Sequence, residues 1–472
     1  MKAFNDEAFM LGNDTAKELY AEYADIKKVP IIDYHCHIPV SEIKEDRHFN
    51  NITELWLGAD HYKWRQMRMS GIEEKYITGD ASDYEKFMAW ASIMPGLIGN
   101  PLYHWSHMEL KYYFGIEEPL SSKSAKSIWD ICNRKLEEPG FGARAMIKAS
   151  NVALLCTTDD PADSLDMHKA LAEDKDFLTG VLPAFRPDDA VDIEKSTWAS
   201  YIRRLMDVTG INISGTDALK EALKSRIDYF DEHGCKTSDH GLYDVRYARC
   251  TDEEAESIFK KAYAGETVSE EEIWKYKTWI LTFLAGEYTK KNWVMQLHYG
   301  VIRNINTKSF RQLGINTGFD CLHNDTRATS LMAFLDLLES RDALPKTVLY
   351  SLNPNDNAAI DCITGCFYEA GVRGKIQHGS AWWFNDNADG MTAQLKSFAN
   401  MNTLGNHIGM LTDSRSFVSY TRHDYFRRIL CNIVGEWVEK GLYPYDKEFL
   451  GKIVKGISFD NTKEYFGFST NI

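Results

Sequence analysis

The sequence predicts an α/β protein built as one (β/α)8 barrel of the TIM type, and two observations support this prediction. Short apolar segments that end in polar residues recur eight times along the 472 residues, with helical patterns between them. Alternating strands and helices are typical of a parallel sheet, and eight such units suggest closure into a barrel. The polar ends are rich in histidine, aspartate and arginine, and barrels carry their chemistry at the C-terminal ends of strands.

Eight strands are predicted from these apolar segments. They occupy residues 31–37, 152–159, 181–186, 234–240, 294–300, 347–353, 375–379 and 407–415, of which the fourth is the weakest. Helical spacing covers residues 191–209 and 391–400, for example. Asp160 followed by Pro161 predicts the start of a helix after the second strand.

Two insertions interrupt the spacing of the strands within a single predicted domain, residues 1–472. The first, about 39–150, follows strand one, is rich in Trp, Tyr and Met, and is predicted to form a mostly helical cap. The second, about 241–292, follows strand four and is predicted to be helical, because capping-box signatures begin at Thr251 and Ser269. Both follow strand C-termini, so both can cover the site.

Composition argues against several classes of protein. The net charge is −15 and no run is rich in lysine and arginine, which argues against a nucleic-acid partner. No apolar stretch reaches the ~18 residues of a membrane span, and no signal-peptide pattern opens the chain. Nine cysteines show no disulfide framework, which favours a reducing compartment. We therefore expect a cytoplasmic protein with a small-molecule substrate.

His35 and His37 end the first predicted strand and are candidate ligands of a divalent metal ion. Residues i and i+2 of a strand face one side, so both imidazoles point to one place while Cys36 faces away. Imidazole is a common ligand of zinc and similar ions, although such a pair can also be two hydrogen-bonded histidines. Asp413 ends the eighth strand, which neighbours the first in a closed barrel, and this context favours the metal.

A His-x-His pair on strand one with an aspartate on strand eight resembles the amidohydrolase superfamily. Within it, the sequence is similar to the uronate isomerase (glucuronate isomerase) family over nearly the whole chain. The similar segments are residues 33–37, 60–65, 157–161, 185–188, 238–241, 296–298, 379–386 and 412–415. This resemblance implies an aldose–ketose isomerase that interconverts D-glucuronate with D-fructuronate, and D-galacturonate with D-tagaturonate.

Departures from a typical superfamily hydrolase predict a single metal ion, with zinc as the expected element. A binuclear site would have a bridging lysine or glutamate near strand four and a histidine ending strand six. The sequence has Asp239 and Asn353 at these places. His298 ends strand five, where the superfamily often supplies another ligand. The sequence leaves open whether His298 reaches the metal or the substrate.

The implied reaction moves a proton between C2 and C1 of the sugar, and an enediol route needs an acid/base group and an electrophile at the oxygens. Asp413 is the candidate for handling a hydroxyl proton, with metal ligation alone as the equal alternative. The resemblance implies that Tyr62 is an acid/base residue. A phenol with an ordinary pKa near ~10 needs the metal or an arginine beside it to act as a base.

The carboxylate of a hexuronate predicts an arginine partner, because a guanidinium matches it with two parallel hydrogen bonds. Arg186, Arg303 and Arg415 are the candidates, and one of them can instead fix a local carboxylate. Of Trp382 and Trp383, one would wall the pocket. The predicted catalytic set is Tyr62, His298, Asp413 and Arg415. The predicted substrate-binding set is His61, Arg186, Asp239, Arg303 and Trp382, and the predicted metal ligands are His35, His37 and Asp413.

Two other functions remain open at this point. A mononuclear hydrolase of the same superfamily would favour a histidine after strand six, and a non-catalytic sugar-acid-binding protein would not need the tyrosine. Arg422, Arg427 and Arg428 begin the helix after strand eight and are interpreted as structural rather than as an anion site. The aromatic-rich insertions make a homo-oligomer plausible.

Overall fold

Nine strands lie within residues 3–325 and 327–470, the residues that the computed structural model describes. They are β1 (Ile31–Asp33), β2 (Val152–Cys156), β3 (Gly180–Leu182), β4 (Thr237–Gly241), β5 (Val294–Tyr299), β6 (Val301–Ile302), β7 (Cys321–Leu322), β8 (Lys346–Ser351) and β9 (Ile376–His378). Two sheets are wholly parallel, with the orders β1-β2-β3 and β4-β5-β8-β9. The chain therefore has the predicted α/β class with parallel sheets.

Phe185 connects the two parallel sheets. It forms a parallel bridge with Asp159 on one side and another with Ser238 on the other. The order of the parallel strands therefore runs from β1 through Phe185 to β9. The first five predicted strands correspond to β1–β5, and the sixth and seventh correspond to β8 and β9.

The eighth predicted strand is wrong as a strand, because residues 407–413 belong to none of the ladders in the described chain. Gly409 (φ 75°) and Asp413 (φ 48°) leave the extended conformation there. The segment still lies beside β1: Thr412 donates from its backbone N (2.8 Å) and Oγ1 (2.6 Å) to the carboxylate of Asp33. Asp413 N also donates to His35 O, at 3.2 Å.

Helices fill the chain between the strands. Those up to β2 are α1 (Asp14–Tyr23), α2 (Val40–Lys44), α3 (Ile52–Leu57), α4 (His61–Met69), α5 (Asp83–Ile93), α6 (Pro101–Phe114), α7 (Ala125–Leu136) and α8 (Ala143–Ala149). Those from β2 to β5 are α9 (Asp166–Ala172), α10 (Asp188–Val191), α11 (Trp198–Thr209), α12 (Thr216–Glu232), α13 (Asp252–Tyr263) and α14 (Glu270–Lys291). The rest are α15 (Thr307–Leu313), α16 (Ala328–Glu339), α17 (Asn357–Thr364), α18 (Ala388–Met401), α19 (Thr421–Glu439), α20 (Lys447–Lys455) and α21 (Asn461–Phe466).

The local signals for helix starts have mixed outcomes. The capping boxes predicted at Thr251 and Ser269 are both present, at the N-termini of α13 and α14. The start predicted at Asp160 is wrong. Its carboxylate accepts from Ala162 N (2.8 Å) and its backbone N donates to Asp163 (2.8 Å), which closes a turn, and α9 begins only at Asp166. None of the described helices is long and apolar enough to cross a membrane.

The short β6–β7 hairpin was not predicted. Its two strands pair antiparallel and enclose α15. The loop before β7 contacts α4, because Arg65 donates to Asp320 O at 2.7 Å. An unforeseen insertion after β5 thus packs against the helix that carries Tyr62.

Tyr350 of β8 forms the floor beneath His298 of β5. The two rings are parallel within 6°, with centroids 4.1 Å apart, and the Tyr350 hydroxyl donates to Gln296 at 2.8 Å. A Cβ atom on Gly379 would lie 1.9 Å from the Tyr350 ring. Only glycine therefore leaves room for this ring after β9.

Arg427 links the segment that precedes β1 to the C-terminal part of the chain. Its buried guanidinium donates to four backbone carbonyls, at distances of 2.6 to 3.1 Å: those of Ala24, Val29, Pro30 and Ser458. We expect Arg427→Met to lower the free energy of unfolding by about 3–5 kcal/mol, because four buried acceptors lose their donor. Denaturant unfolding followed by circular dichroism measures the change.

Arg373→Met is the matched control for this stability prediction. Arg373 pairs with Glu464 at the surface, where both side chains are at least 60% exposed. An exposed pair contributes at most about 1 kcal/mol. Equal losses for the two variants would show that the four carbonyls do not need Arg427.

Candidate active site

His35 and His37 follow β1 and converge on one oxygen of Asp413. His35 Nε2 lies 3.2 Å and His37 Nε2 lies 3.1 Å from Asp413 Oδ1. Asp413 has a left-handed backbone (φ 48°), a conformation that aspartate tolerates better than most residues. The three predicted metal ligands are therefore brought together where β1 meets residues 412–414.

Asp239 organises the residues on the other side of His35. It accepts from His298 Nδ1 at 2.7 Å and from Arg186 Nη1 at 2.8 Å. Its Oδ2 also lies 3.9 Å from His35 Nδ1. Because His298 uses Nδ1 as the donor, its Nε2 is left as an acceptor that faces the site.

Both carboxylates of the site are ionised. Burial opposes the charge on Asp413, but His35 and His37 outweigh it and hold the pKa of this carboxyl well below its usual range. Burial is likewise outweighed at Asp239, where Arg186 contributes most to a strongly lowered pKa. Burial lowers the pKa of His37 to about 4, so this imidazole is neutral near pH 7, which is the form that binds metals.

The donor atoms fit a divalent cation. His35, His37 and Asp413 offer three ligand atoms within 4.8 Å of one another, and so do His35, Asp239 and His298. His35 Nδ1 and His298 Nε2 are buried and have no hydrogen-bond partner among the described residues. Buried nitrogens normally have a partner, and imidazole with carboxylate is a common ligand set for divalent ions.

Trp382 holds the carboxylate of Asp413. Its Nε1 donates to Asp413 Oδ2 at 2.8 Å, and its ring centroid lies 4.8 Å from that of His298. Trp382 thus lies at the predicted site, and Trp383 next to it faces Tyr62, with ring centroids 6.1 Å apart. Trp382 and Trp383 therefore both lie beside residues of the predicted site.

Asp60 fixes the first turn of α4, where His61 and Tyr62 lie. Its Oδ1 accepts from Tyr62 N (2.9 Å) and Lys63 N (3.1 Å), and its Oδ2 pairs with the buried Lys63 ammonium at 2.6 Å. An N-cap with this additional ion pair gives the helix start a defined position. His61 and Tyr62 are thereby held on the wall of the site.

One small cavity joins α4 to the end of the 407–413 segment. It is lined by His61, Tyr62, Asp413 and Arg415, among others. Burial raises the pKa of Tyr62 well above its usual value, so the phenol is protonated. Burial and then Arg415 lower the pKa of His61 to about 4, so this imidazole is neutral.

The three candidate arginines differ in what they already bind. Arg186 pairs with Asp188 and Asp239, each at 2.8 Å. Arg303 pairs with Asp320 at 3.0 Å and lies over the Trp383 ring. Arg415 makes no hydrogen bond or ion pair with any residue among 3–325 and 327–470, and it lines the cavity. Arg415 therefore has the guanidinium that is free to bind a carboxylate.

Two residues that contact Thr412, next to Asp413, were not recognised from the sequence as neighbours of the site. Asp33 accepts both donors of Thr412, and the buried Arg422 donates to the carbonyl of Thr412 at 3.0 Å. A carboxylate inside an otherwise apolar strand needs a partner, and this is the signal that could have marked Asp33. For Arg422, the only feature in the sequence that could have marked it is its position in a helix rich in arginine.

A parallel α/β fold in which a His-x-His pair at the end of the first strand meets an aspartate from the C-terminal part of the chain defines an enzyme of the amidohydrolase class. The model of the glucuronate isomerase family matches residues 1–466. The chain belongs to this family.

Individual relatives agree with this assignment. A uronate isomerase of Lachnoclostridium phytofermentans is 55% identical over 468 residues, which cover 99% of this chain and 100% of the relative. One of Lachnospira eligens is 53% identical over the same shares of the two chains. The crystal structure of uronate isomerase from Thermotoga maritima covers 98% of this chain and 100% of its own, with a TM-score of 0.92 and 35% identity.

Proposed function

We propose that the chain is a uronate isomerase, which interconverts hexuronate aldoses and ketoses: D-glucuronate with D-fructuronate, and D-galacturonate with D-tagaturonate. Family membership supports this activity. The observation that carries it is the cavity that Tyr62 and Asp413 line together with Arg415, which has no hydrogen bond or ion pair with any described residue. It combines a receptor for a carboxylate with two groups that can move protons.

A single divalent ion, with zinc as the expected element, is proposed at His35, His37 and Asp413. The convergence of these three ligands supports this site. When bound, the ion would polarise the sugar carbonyl and stabilise negative charge on its oxygen. Asn353 caps a turn by accepting from Asn355 N at 3.1 Å, so it has another role than ligation.

The side chains of the cavity have complementary protonation states. Tyr62 is protonated and can donate to a sugar oxygen, while the ionised Asp413 can accept a hydroxyl proton. Arg415 holds the C6 carboxylate, which places C1 and C2 at the other end of the substrate, near Asp413. The neutral His61 contacts a hydroxyl group.

The proposed architecture is one domain over residues 1–472, in which residues 407–413 close the parallel sheet into a barrel. Three contacts support closure on the β1 side: those of Asp413 N with His35 O, of His37 N with Ser414 O, and of Asp33 with Thr412. Helices α2–α8 would then form the cap over the site, and α13 and α14 would form the second insertion.

Trp382→Phe is expected to lower the affinity for the metal about 10- to 100-fold, which is typical for loss of a residue that orients a ligand. The variant removes the N–H that holds Asp413 Oδ2. Competition with a chromophoric chelator measures the affinity. Trp293→Phe is the control, because its N–H donates to Asp231 instead. Unchanged metal affinity in Trp382→Phe would contradict the role given to this tryptophan.

The activity is tested with the metal-depleted protein resupplied with zinc and given each hexuronate in deuterated buffer. We expect the ketose to appear in the NMR spectrum, to stop forming after a chelator is added and to form again with zinc. Absence of ketose from both D-glucuronate and D-galacturonate would overturn the proposed function. Hydrolysis of model esters or lactones in its place would indicate the hydrolase.

A further inference from the structure

Arg422, in the first turn of α19, contacts three segments that each carry a residue of the site. Its side chain is buried, with 4% of the residue exposed. Nη1 donates to Thr412 O at 3.0 Å, directly before Asp413. The same nitrogen lies 3.5 Å from Asp386 Oδ2. The guanidinium carbon lies 5.7 Å from the centroid of the Tyr62 ring.

These three contacts bind together elements that are distant in the sequence. Tyr62 belongs to α4, Thr412 precedes Asp413, and Asp386 follows the segment with Trp382. The guanidinium carbon also lies 4.0 Å from the centroid of the Trp105 ring of α6. The guanidinium therefore contacts two aromatic rings, and Arg422 is itself one of the residues that line the cavity.

The charges around Arg422 explain why a cation is present in this buried place. Asp386 is 4% exposed and its Oδ1 has no hydrogen-bond partner among the described residues. Glu109 of α6 is also buried, and its Oε2 has no such partner. Lys63 is already paired with Asp60. Arg422 is thus the cation beside Asp386, and its hydrogen bond to the carbonyl of Thr412 holds the guanidinium there.

We propose that Arg422 is a positioning residue for the isomerisation: it fixes the Tyr62 ring relative to Asp413. This inference rests on the proposed function, and it gives Arg422 a role beyond the structural one expected from the sequence. A ring that contacts a fixed guanidinium keeps its hydroxyl at one place in the cavity. Displacement of a reacting group by about 1 Å can cost about 10²-fold in rate.

Arg428, six residues further along α19, is the matched control. It is also buried and pairs with Asp424 at 2.9 Å, and its other contacts are Tyr20 and the carbonyls of Glu7 and Phe9. None of these partners lines the cavity of Tyr62 and Asp413. Arg428→Met therefore removes a buried arginine from the same helix without touching the site.

A double-mutant cycle between Arg422→Met and Tyr62→Phe tests the proposal. We expect Arg422→Met to lower kcat about 10²-fold, with KM changed less than about 3-fold and the metal content unchanged. In the Tyr62→Phe background, the same substitution should cost less than about 3-fold, because its effect acts through the tyrosine. Arg428→Met should keep the kcat of the parent.

An equal loss of kcat in both backgrounds would overturn the proposal. If Arg422→Met does not fold, Arg422→Lys enters the same cycle with the same criterion, because it keeps the charge and loses the fork of donors. If the parent enzyme forms no ketose, the proposed function fails by itself. A crystal structure of the Arg422 variant then still decides the placement of Tyr62: a ring displaced by about 1 Å supports the proposal, and an unmoved ring overturns it.

Discussion

Asp413→Asn is expected to lower kcat/KM for D-glucuronate by about 10³-fold, which corresponds to about 4 kcal/mol of transition-state stabilisation. The substitution keeps the size of the side chain but removes the negative charge between His35 and His37. One oxygen of Asp413 lies within 3.2 Å of a nitrogen of each histidine. An amide cannot replace this carboxylate as an anionic metal ligand, and it cannot accept the proton of a sugar hydroxyl.

Metal content and rescue separate the two roles of Asp413. We expect the variant to lose its metal on dialysis, as measured by inductively coupled plasma mass spectrometry. If ligation is the whole role, saturating zinc should restore activity, and if Asp413 also moves a proton, the refilled enzyme should stay inactive. Retention of both the metal and more than a tenth of the activity would contradict either role.

Asp361→Asn is the control for this substitution. Asp361 is a buried carboxylate that contacts a histidine in the same way, with His378 Nδ1 at 2.7 Å, and it lies outside the cavity. The same chemical change there should reduce stability and leave kcat/KM of the folded enzyme within about 3-fold of the parent. The comparison separates the effect of losing a carboxylate at the site from the general effect of unpairing a buried histidine.

The parallel strands could be predicted because both of their faces are buried. Such strands appear in a sequence as largely apolar runs: residues 152–156 are apolar throughout, and residues 294–299 are interrupted only by Gln296 and His298, which are buried as well. The 407–413 segment has the same composition, and Ile408, Met410 and Leu411 are indeed buried. Burial alone does not produce an extended backbone, and the positive φ angles of Gly409 and Asp413 cannot be inferred from hydrophobicity. The two-residue strands β6 and β7 are too short to show any period.

The candidate site could be predicted as a set of residues but not as a set of contacts. His35 and His37 could be placed together because a strand has a period of two. The pairing of Arg186 with Asp239 joins residues 53 positions apart, so no local pattern indicates it. For the same reason the sequence could not show which of the three candidate arginines is free. Whether each arginine is free depends on its partners in the folded chain and not on its own position in the sequence.

Arg415→Met is expected to lower kcat/KM for both hexuronates by about 10²- to 10³-fold. A charge-assisted, bidentate contact with a carboxylate contributes about 3–4 kcal/mol when it is shielded from water. Arg415 lines the cavity and has no carboxylate partner among the described residues, so the substrate would be its first. Arg415→Lys should keep part of the effect, because it retains the charge but loses the second hydrogen bond.

Arg303→Met and Arg204→Met are the controls against which the loss of kcat/KM in Arg415→Met is compared. Arg303 is already paired with Asp320 and its side chain is 45% exposed, so we expect its replacement to cost less than about 10-fold. Arg204 lies in an exposed pair with Asp163, and its replacement should leave kcat/KM unchanged. A larger loss at Arg303 than at Arg415 would assign the carboxylate to the other side of Trp383, and the substrate would then enter the cavity in the reverse orientation. Because a substrate held at its carboxylate presents C1 and C2 at the far end, the arginine that proves essential also decides whether Asp413 or Tyr62 lies next to the reacting carbons.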